Sequence, residues 1–141
     1  MANFMKNNKL MTQKEESLME IFWTHEEPLT IAKVMEFYGK ENLNQATVFR
    51  RVKSLFNKGY LKVYGLEKNN TKYTRRFVPA LTKEEYAAVL LSEYGMESTS
   101  LVKIVLSMLG YGKRKETSQD EKEKLIKELE SIIACIRSQD E

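Results

Sequence analysis

Residues 44–61 read NQATVFRRVKSLFNKGYL, and the rest of the chain is understood by asking what this stretch faces. At about 100° per residue, Val48, Val52 and Leu55 gather on one side of a helix, with Phe56 at the edge. Ala46, Thr47, Arg50, Lys53, Ser54 and Asn57 fall on the other. Asn44 is a natural N-cap and Gly59 a natural stop. The outward face is thus basic and polar with no acid on it. Such a face is either ordinary solvated surface or made to lie against something negative that hydrogen-bonds.

On the C-terminal side the period changes. YLKVYGL (60–66) and KYTRRFV (72–78) are β-prone segments around the Asn-rich turn EKNNT (67–71). On the N-terminal side, Thr12 and Glu15 form a capping-box pattern that opens a helix. Leu18, Ile21, Phe22 and His25 recur behind it at helical spacing, with Met19 and Trp23 alongside, so the helix runs to about Thr24. Pro28 ends this run, and Leu29–Thr30 fit a short extended piece. A second helix, IAKVMEFY (31–38), stops at Gly39. Three helices followed by a two-stranded ribbon with a basic tip is the order of a winged helix-turn-helix, here over residues 1–80.

Residues 81–141 are helical again. Thr82…Glu85 and Ser118…Glu121 repeat the capping box. Tyr86, Val89, Leu90 and Tyr94 line the first of these helices, which ends at Gly95. Seven of the ten residues from Ser100 to Leu109 are apolar, leaving a narrow polar stripe of Ser100, Lys103 and Ser107. A basic loop over 110–117 leads to a last helix with Leu125, Leu129, Ile132 and Ile136 at 4-3-4 spacing, broadened by Ile126 and Ile133. Three short helices cannot cover that much apolar surface alone. The expectation is a homodimer built from Tyr86, Val89, Leu90, Leu101, Ile104, Val105, Leu106, Met108, Leu109, Leu125, Leu129, Ile132 and Ile136. The fold class is therefore mainly α with a small β wing: a winged domain, then an α-helical dimerisation region.

Charge separates the two parts. The net +3 divides into +6 over residues 1–80 and −3 over residues 81–141. Between Asn44 and Arg76, nine basic residues face the single acid Glu67, a footprint suited to a polyanion. Catalytic chemistry has little to work with. His25 is the only histidine, which excludes His-based triads and multi-histidine metal sites in one chain, and it reads as a helix-end packing residue. Cys135 is the only cysteine and reads as a small buried hydrophobe. No phosphate-binding glycine loop occurs, and no cofactor or metal is called for. MANFMKNNKL lacks the apolar core of a secretory signal, and the apolar run YAAVLL (86–91) is too short to span a bilayer. A cytoplasmic protein with no membrane partner is expected.

Double-stranded DNA fits the basic face, because a helix fills the major groove and reads base edges there. Gln45, Ala46, Thr47, Arg50 and Ser54 are the candidate base contacts, with Arg50 placed for a bidentate guanine contact. Thr30, Asn44, Arg51, Lys53, Asn57 and Lys58, with Lys68, Asn70 and Lys72 of the wing tip, are the candidate backbone contacts. The competing class is a winged-helix adaptor whose apolar C-terminal helices dock a partner protein.

Several stretches in order resemble the penicillinase repressor (BlaI/MecI) family of transcription regulators. They are ESLMEIFWTHEEPLTIAKV, ATVFRRVKSLFNKGYL, FVPALTKEEYAAVLL, STSLVKIVL and TSQDEKEKLIKELESII, spanning roughly residues 12–136. The resemblance implies a cytoplasmic homodimer that binds palindromic operator DNA and represses adjacent genes. It also implies a possible inducing partner, since many members are inactivated by proteolysis triggered by a membrane sensor metallopeptidase. Three features depart from the family pattern. Arg50 stands where Thr is frequent, and Ser54 where Arg is frequent. Ile104–Val105 follows SLVK where the antibiotic-responsive members carry an Asn–Phe cleavage bond. The C-terminal cysteine cluster of copper-responsive relatives is absent. A sensor protease, a small ligand and titration by a partner protein are all compatible with the sequence as inducers.

Overall fold

Helix α1 (Gln13–Thr24) opens where the capping box places it: Thr12 Oγ1 accepts from Glu15 N at 3.2 Å, and Glu15 Oε1 accepts from Thr12 N at 3.0 Å. The computed structural model describes residues 10–38, 44–111 and 118–139. Residues 1–9, Gly39 as a helix stop and the basic stretch 112–117 lie outside the described residues. Helix α2 (Ile31–Tyr38) and helix α3 (Gln45–Asn57) follow, then strands β1 (Leu61–Asn69) and β2 (Lys72–Pro79). Helix α4 (Lys83–Glu93), a 3-10 turn (Ser98–Ser100), helix α5 (Leu101–Tyr111) and helix α6 (Gln119–Ser138) complete the order. The Thr82–Glu85 and Ser118–Glu121 boxes are closed as well.

The apolar faces of α1, α2 and α3 meet in one core, where Leu18, Met19, Val34, Val48 and Leu55 are fully buried. Helix α3 ends in a Schellman motif. Gly59, at φ 87°, sends its N–H to Phe56 O at 3.1 Å, and Tyr60 N reaches Leu55 O at 2.9 Å. Glycine is needed at that left-handed position. The turn delivers Tyr60 into the core beside Leu55, both without solvent exposure.

β1 and β2 pair antiparallel from Leu61–Pro79 out to Asn69–Lys72, around a two-residue tip, Asn70–Thr71, with Asn70 at φ 58°. The register slips by one residue between Val63 and Leu66, a bulge that contains Gly65 at φ 85°. Leu29, in the α1–α2 connection, adds a single rung to the ribbon: Leu29 N to Phe77 O at 3.0 Å and Phe77 N to Leu29 O at 2.8 Å. The extended Leu29–Thr30 piece is thereby tied to the wing base.

The chain divides into two units, one ending at Gly95 and the other beginning at Met96. Helix α4 belongs to the first unit: Tyr86 is buried at 4% exposure, edge-on to Tyr60 with centroids 5.5 Å apart, and its hydroxyl accepts from Met11 N at 3.2 Å. Val89 is buried and Leu90 packs against the core. Tyr86, Val89 and Leu90 thus pack against the first unit of their own chain.

The second unit is different. Among its described residues none is buried. Leu101, Leu106, Met108, Leu109, Ile132 and Ile136 are exposed, and Ile104, Val105, Leu125 and Leu129 are half-buried. Cys135 is exposed, not buried as its apolar neighbours suggested, because one copy of this unit has no interior to put it in. No helix among the described residues is long and apolar enough to cross a membrane.

Candidate nucleic-acid interface

The polar side of α3 separates into two stripes that the helical wheel had merged. Ala46, Arg50, Lys53 and Asn57 are exposed along a line opposite Val48, Val52 and Leu55, as are Gln45 and the cap residue Asn44. Thr47, Arg51, Ser54 and Lys58 are half-buried along the flank. Asn44 Oδ1 accepts from Thr47 N and from Thr47 Oγ1, both at 2.8 Å, so the first turn is firmly closed. Thr47 Oγ1 in turn lies 3.5 Å from Arg50 Nη2.

The flank is occupied by an acid from another helix. Glu15, at 4% exposure, receives Ser54 Oγ on Oε2 at 2.9 Å and Lys58 Nζ on Oε1 at 2.6 Å. Burial pushes its carboxyl pKa up. The hydrogen bonds from Lys58, Thr12 and Ser54 outweigh that, and the net shift is downward. Ser54 and Lys58 are thus turned toward α1 and bonded to Glu15. A signal for Glu15 existed. It sits at i, i+3, i+4, i+7 with Leu18, Met19 and Phe22, a carboxylate on an apolar stripe, and an acid there needs a partner.

Thr30 is buried, and its Oγ1 accepts from Lys33 N at 3.2 Å as the cap of α2. Lys68, Asn70 and Lys72 are exposed at the wing tip, and Arg75 is exposed on β2. Phe56 of α3 meets Phe77 of β2 edge-on at 6.2 Å, joining the end of the helix to the wing base. Elsewhere on this unit, a cleft of about 550 Å³ is lined by Glu20, Glu26, Glu27, Glu84 and Glu85, with Trp23, His25 and Lys83. Five carboxylates make that side repel a phosphate backbone. His25 packs flat on Phe37 at 3.8 Å, with Nδ1 2.8 Å from Ile21 O. Among the described residues no cluster of His, Cys, Asp or Glu could hold a metal ion.

An exposed polar stripe on the third helix, a basic β-ribbon beside it and a helical tail are the parts of one known kind of regulator. The penicillinase repressor family profile matches residues 11–131. The chain belongs to the penicillinase repressor family. Like the family, it is a winged-helix transcriptional regulator and not an enzyme, and DNA is its partner. A comparison with curated proteins returns no match. Among solved structures, Staphylococcus aureus MarR in complex with salicylate and kanamycin is similar at 15% identity and TM-score 0.41, covering 91% of this chain and 75% of that one. The adhesin competence repressor AdcR of Streptococcus pyogenes is 21% identical with TM-score 0.35, over 91% and 81%. A mutant of Lactococcus lactis ZitR is 21% identical with TM-score 0.36, over 91% and 76%. At those scores the penicillinase repressor match carries the assignment.

Proposed function

We propose that this penicillinase repressor family member acts as a homodimer on a palindromic operator, with α3 in the major groove and the wing tip on the backbone. The supporting observation is the exposed line Ala46, Arg50, Lys53, Asn57 on a helix whose opposite side is wholly buried. Gln45, Ala46 and Arg50 are the base-reading groups in this proposal. Thr47, whose hydroxyl donates to Asn44 Oδ1, meets a base as a hydrogen-bond acceptor. Asn44, Arg51, Lys53 and Asn57, with Lys68, Asn70 and Lys72, take phosphates. Phosphate contacts set affinity and its salt dependence, and base contacts set sequence preference.

The dimer is supported by the second unit, where exposed Leu106, Met108, Ile132 and Ile136 need a cover. Two copies would each provide that cover through the same surface, as a two-fold interface requires. Fluorescence anisotropy on DNA from upstream of the protein's own gene tests the reading, run at about 50 and 200 mM salt with random-sequence competitor. Specific binding that survives the competitor is expected. Arg50→Ala is expected to weaken that binding by about 1–3 kcal/mol while leaving random DNA nearly unaffected. Equal losses on both would make Arg50 a phosphate contact. No binding at either salt would hand the chain to the adaptor reading.

A further inference from the structure

We infer that Glu15 controls how many cations the recognition helix offers to DNA: it pins the end of α3 to α1 and keeps Lys58 off the phosphate backbone. The inference rests on α3 being the recognition helix.

One carboxylate gathers donors from two helices. Oε1 takes Thr12 N, which closes the start of α1, and Lys58 Nζ, which comes from the end of α3; Oε2 takes Ser54 Oγ. Glu15 stands in the first turn of α1 and Lys58 at the C-cap of α3, so each charge also sits at the helix end that favours it. The 2.6 Å bond is charge-assisted, and the pair is shielded, with side-chain exposures of 21% for Lys58 and 5% for Glu15. A lysine held this way is compensated before any DNA arrives. Lys53, on the exposed stripe, has no such anchor on Glu15 and stays available.

The spacing gives the device a bearing on sequence reading. Arg50, Ser54 and Lys58 lie four residues apart on successive turns. Fixing the last two opposes rotation of α3 about its own axis, and that rotation would swing Arg50 off its base. An apolar pair would bury as well, but a fixed hydrogen-bonded pair sets register, the best-attested use of such groups. Glu15 is therefore a positioning residue, acting on DNA through Lys58 and through the setting of Arg50.

The test is the salt slope of binding by the full-length protein, on a random-sequence duplex and on the upstream DNA. Glu15→Gln keeps the shape and an acceptor for Thr12 but removes the charge. Lys58 is then free to reach a phosphate, and the slope is expected to steepen by about 0.9, so the affinity drop between ~50 and ~200 mM salt deepens about threefold. Random DNA is expected to bind more tightly and the ratio of specific to random affinity to fall. Lys58→Gln alone is expected to leave the slope unchanged, and the double variant to return it to the wild-type value. A loss of about 0.9 in slope for Lys58→Gln alone would show Lys58 already on the DNA and overturn the inference, as would an unchanged slope for Glu15→Gln. If Glu15→Gln fails to fold, the Lys58→Gln slope decides. Wild-type protein without salt-sensitive binding would instead overturn the reading of α3 itself.

Discussion

Replacing Tyr86 with Phe removes one oxygen that ties α4 to the winged unit. The hydroxyl accepts from Met11 N and donates to Glu16 Oε1, both at 3.2 Å. Burial raises its pKa; the Met11 bond lowers it and Glu16 raises it again, leaving it pushed up from 10.0 to about 12. The neutral phenol is the form the fold favours. Its contribution is therefore complete below the unfolded pKa of 10.0 and is lost as pH rises through about 12. A two-unit shift corresponds to ~3 kcal/mol in full, and about half of that is lost by pH ~11. Tyr60 is raised too, by burial and then by Glu15 and Glu93, so only the difference between proteins isolates Tyr86. Trp23 is the single tryptophan, and its ring lies 6.0 Å from that of Tyr86, so its fluorescence reports this junction during urea unfolding. At neutral pH, Tyr86→Phe is expected to be ~1–2 kcal/mol less stable, because Met11 N–H loses its buried acceptor. Between about pH 8 and pH 11 the wild type should lose ~1.4 kcal/mol more than the variant. Equal losses in the two proteins would refute the reasoning.

Gly65→Ala forces an L-residue to φ 85° and brings a Cβ to 3.2 Å from Arg76 Nη2, a flexible group that can give way. A loss of ~1–2 kcal/mol in urea unfolding is expected from the backbone term alone, and a neutral result would place the bulge elsewhere in solution. Ile132 keeps 42% of its exposure in one copy, so covering the rest in a symmetric pair is worth ~1–3 kcal/mol per dimer. Ile132→Glu should therefore raise the dissociation constant by at least about tenfold in sedimentation equilibrium. An unchanged mass distribution would remove α6 from the proposed interface. Lys72→Ala should weaken specific and random DNA alike and reduce the salt slope by about 0.9, measured by anisotropy; a loss confined to one sequence would make Lys72 a base reader.

The elements were legible because their punctuation is local. Capping boxes at Thr12, Thr82 and Ser118, Gly59 after α3 and the Asn-rich wing tip all act within a few residues, and each forms as written. The long-range partnerships were not. Ser54 and Lys58 meet Glu15 from 39 and 43 residues away, and a helical wheel shows only that they are off the apolar side. Tyr86 could be read as apolar-facing, but not that the face belongs to Tyr60 and Met11 of the first unit. Thr30 is ambiguous in the same way, since a cap and a phosphate donor are the same residue type until its burial is known.

The rung between Leu29 and Phe77 bears on the entropy of binding. Re-aiming the wing at its base means breaking two backbone bonds, of 3.0 and 2.8 Å, each worth about 1 kcal/mol. Lys72, next to the tip, lies five residues from Phe77 along β2, about 17 Å at strand rise. A free ribbon of that reach would sweep a wide volume, and docking it would forfeit all of that freedom. Clamped to the connection between α1 and α2, the ribbon has given up most of its motion during folding. If Lys68 and Lys72 take phosphates as proposed, little disorder of the ribbon base is then left for docking to remove.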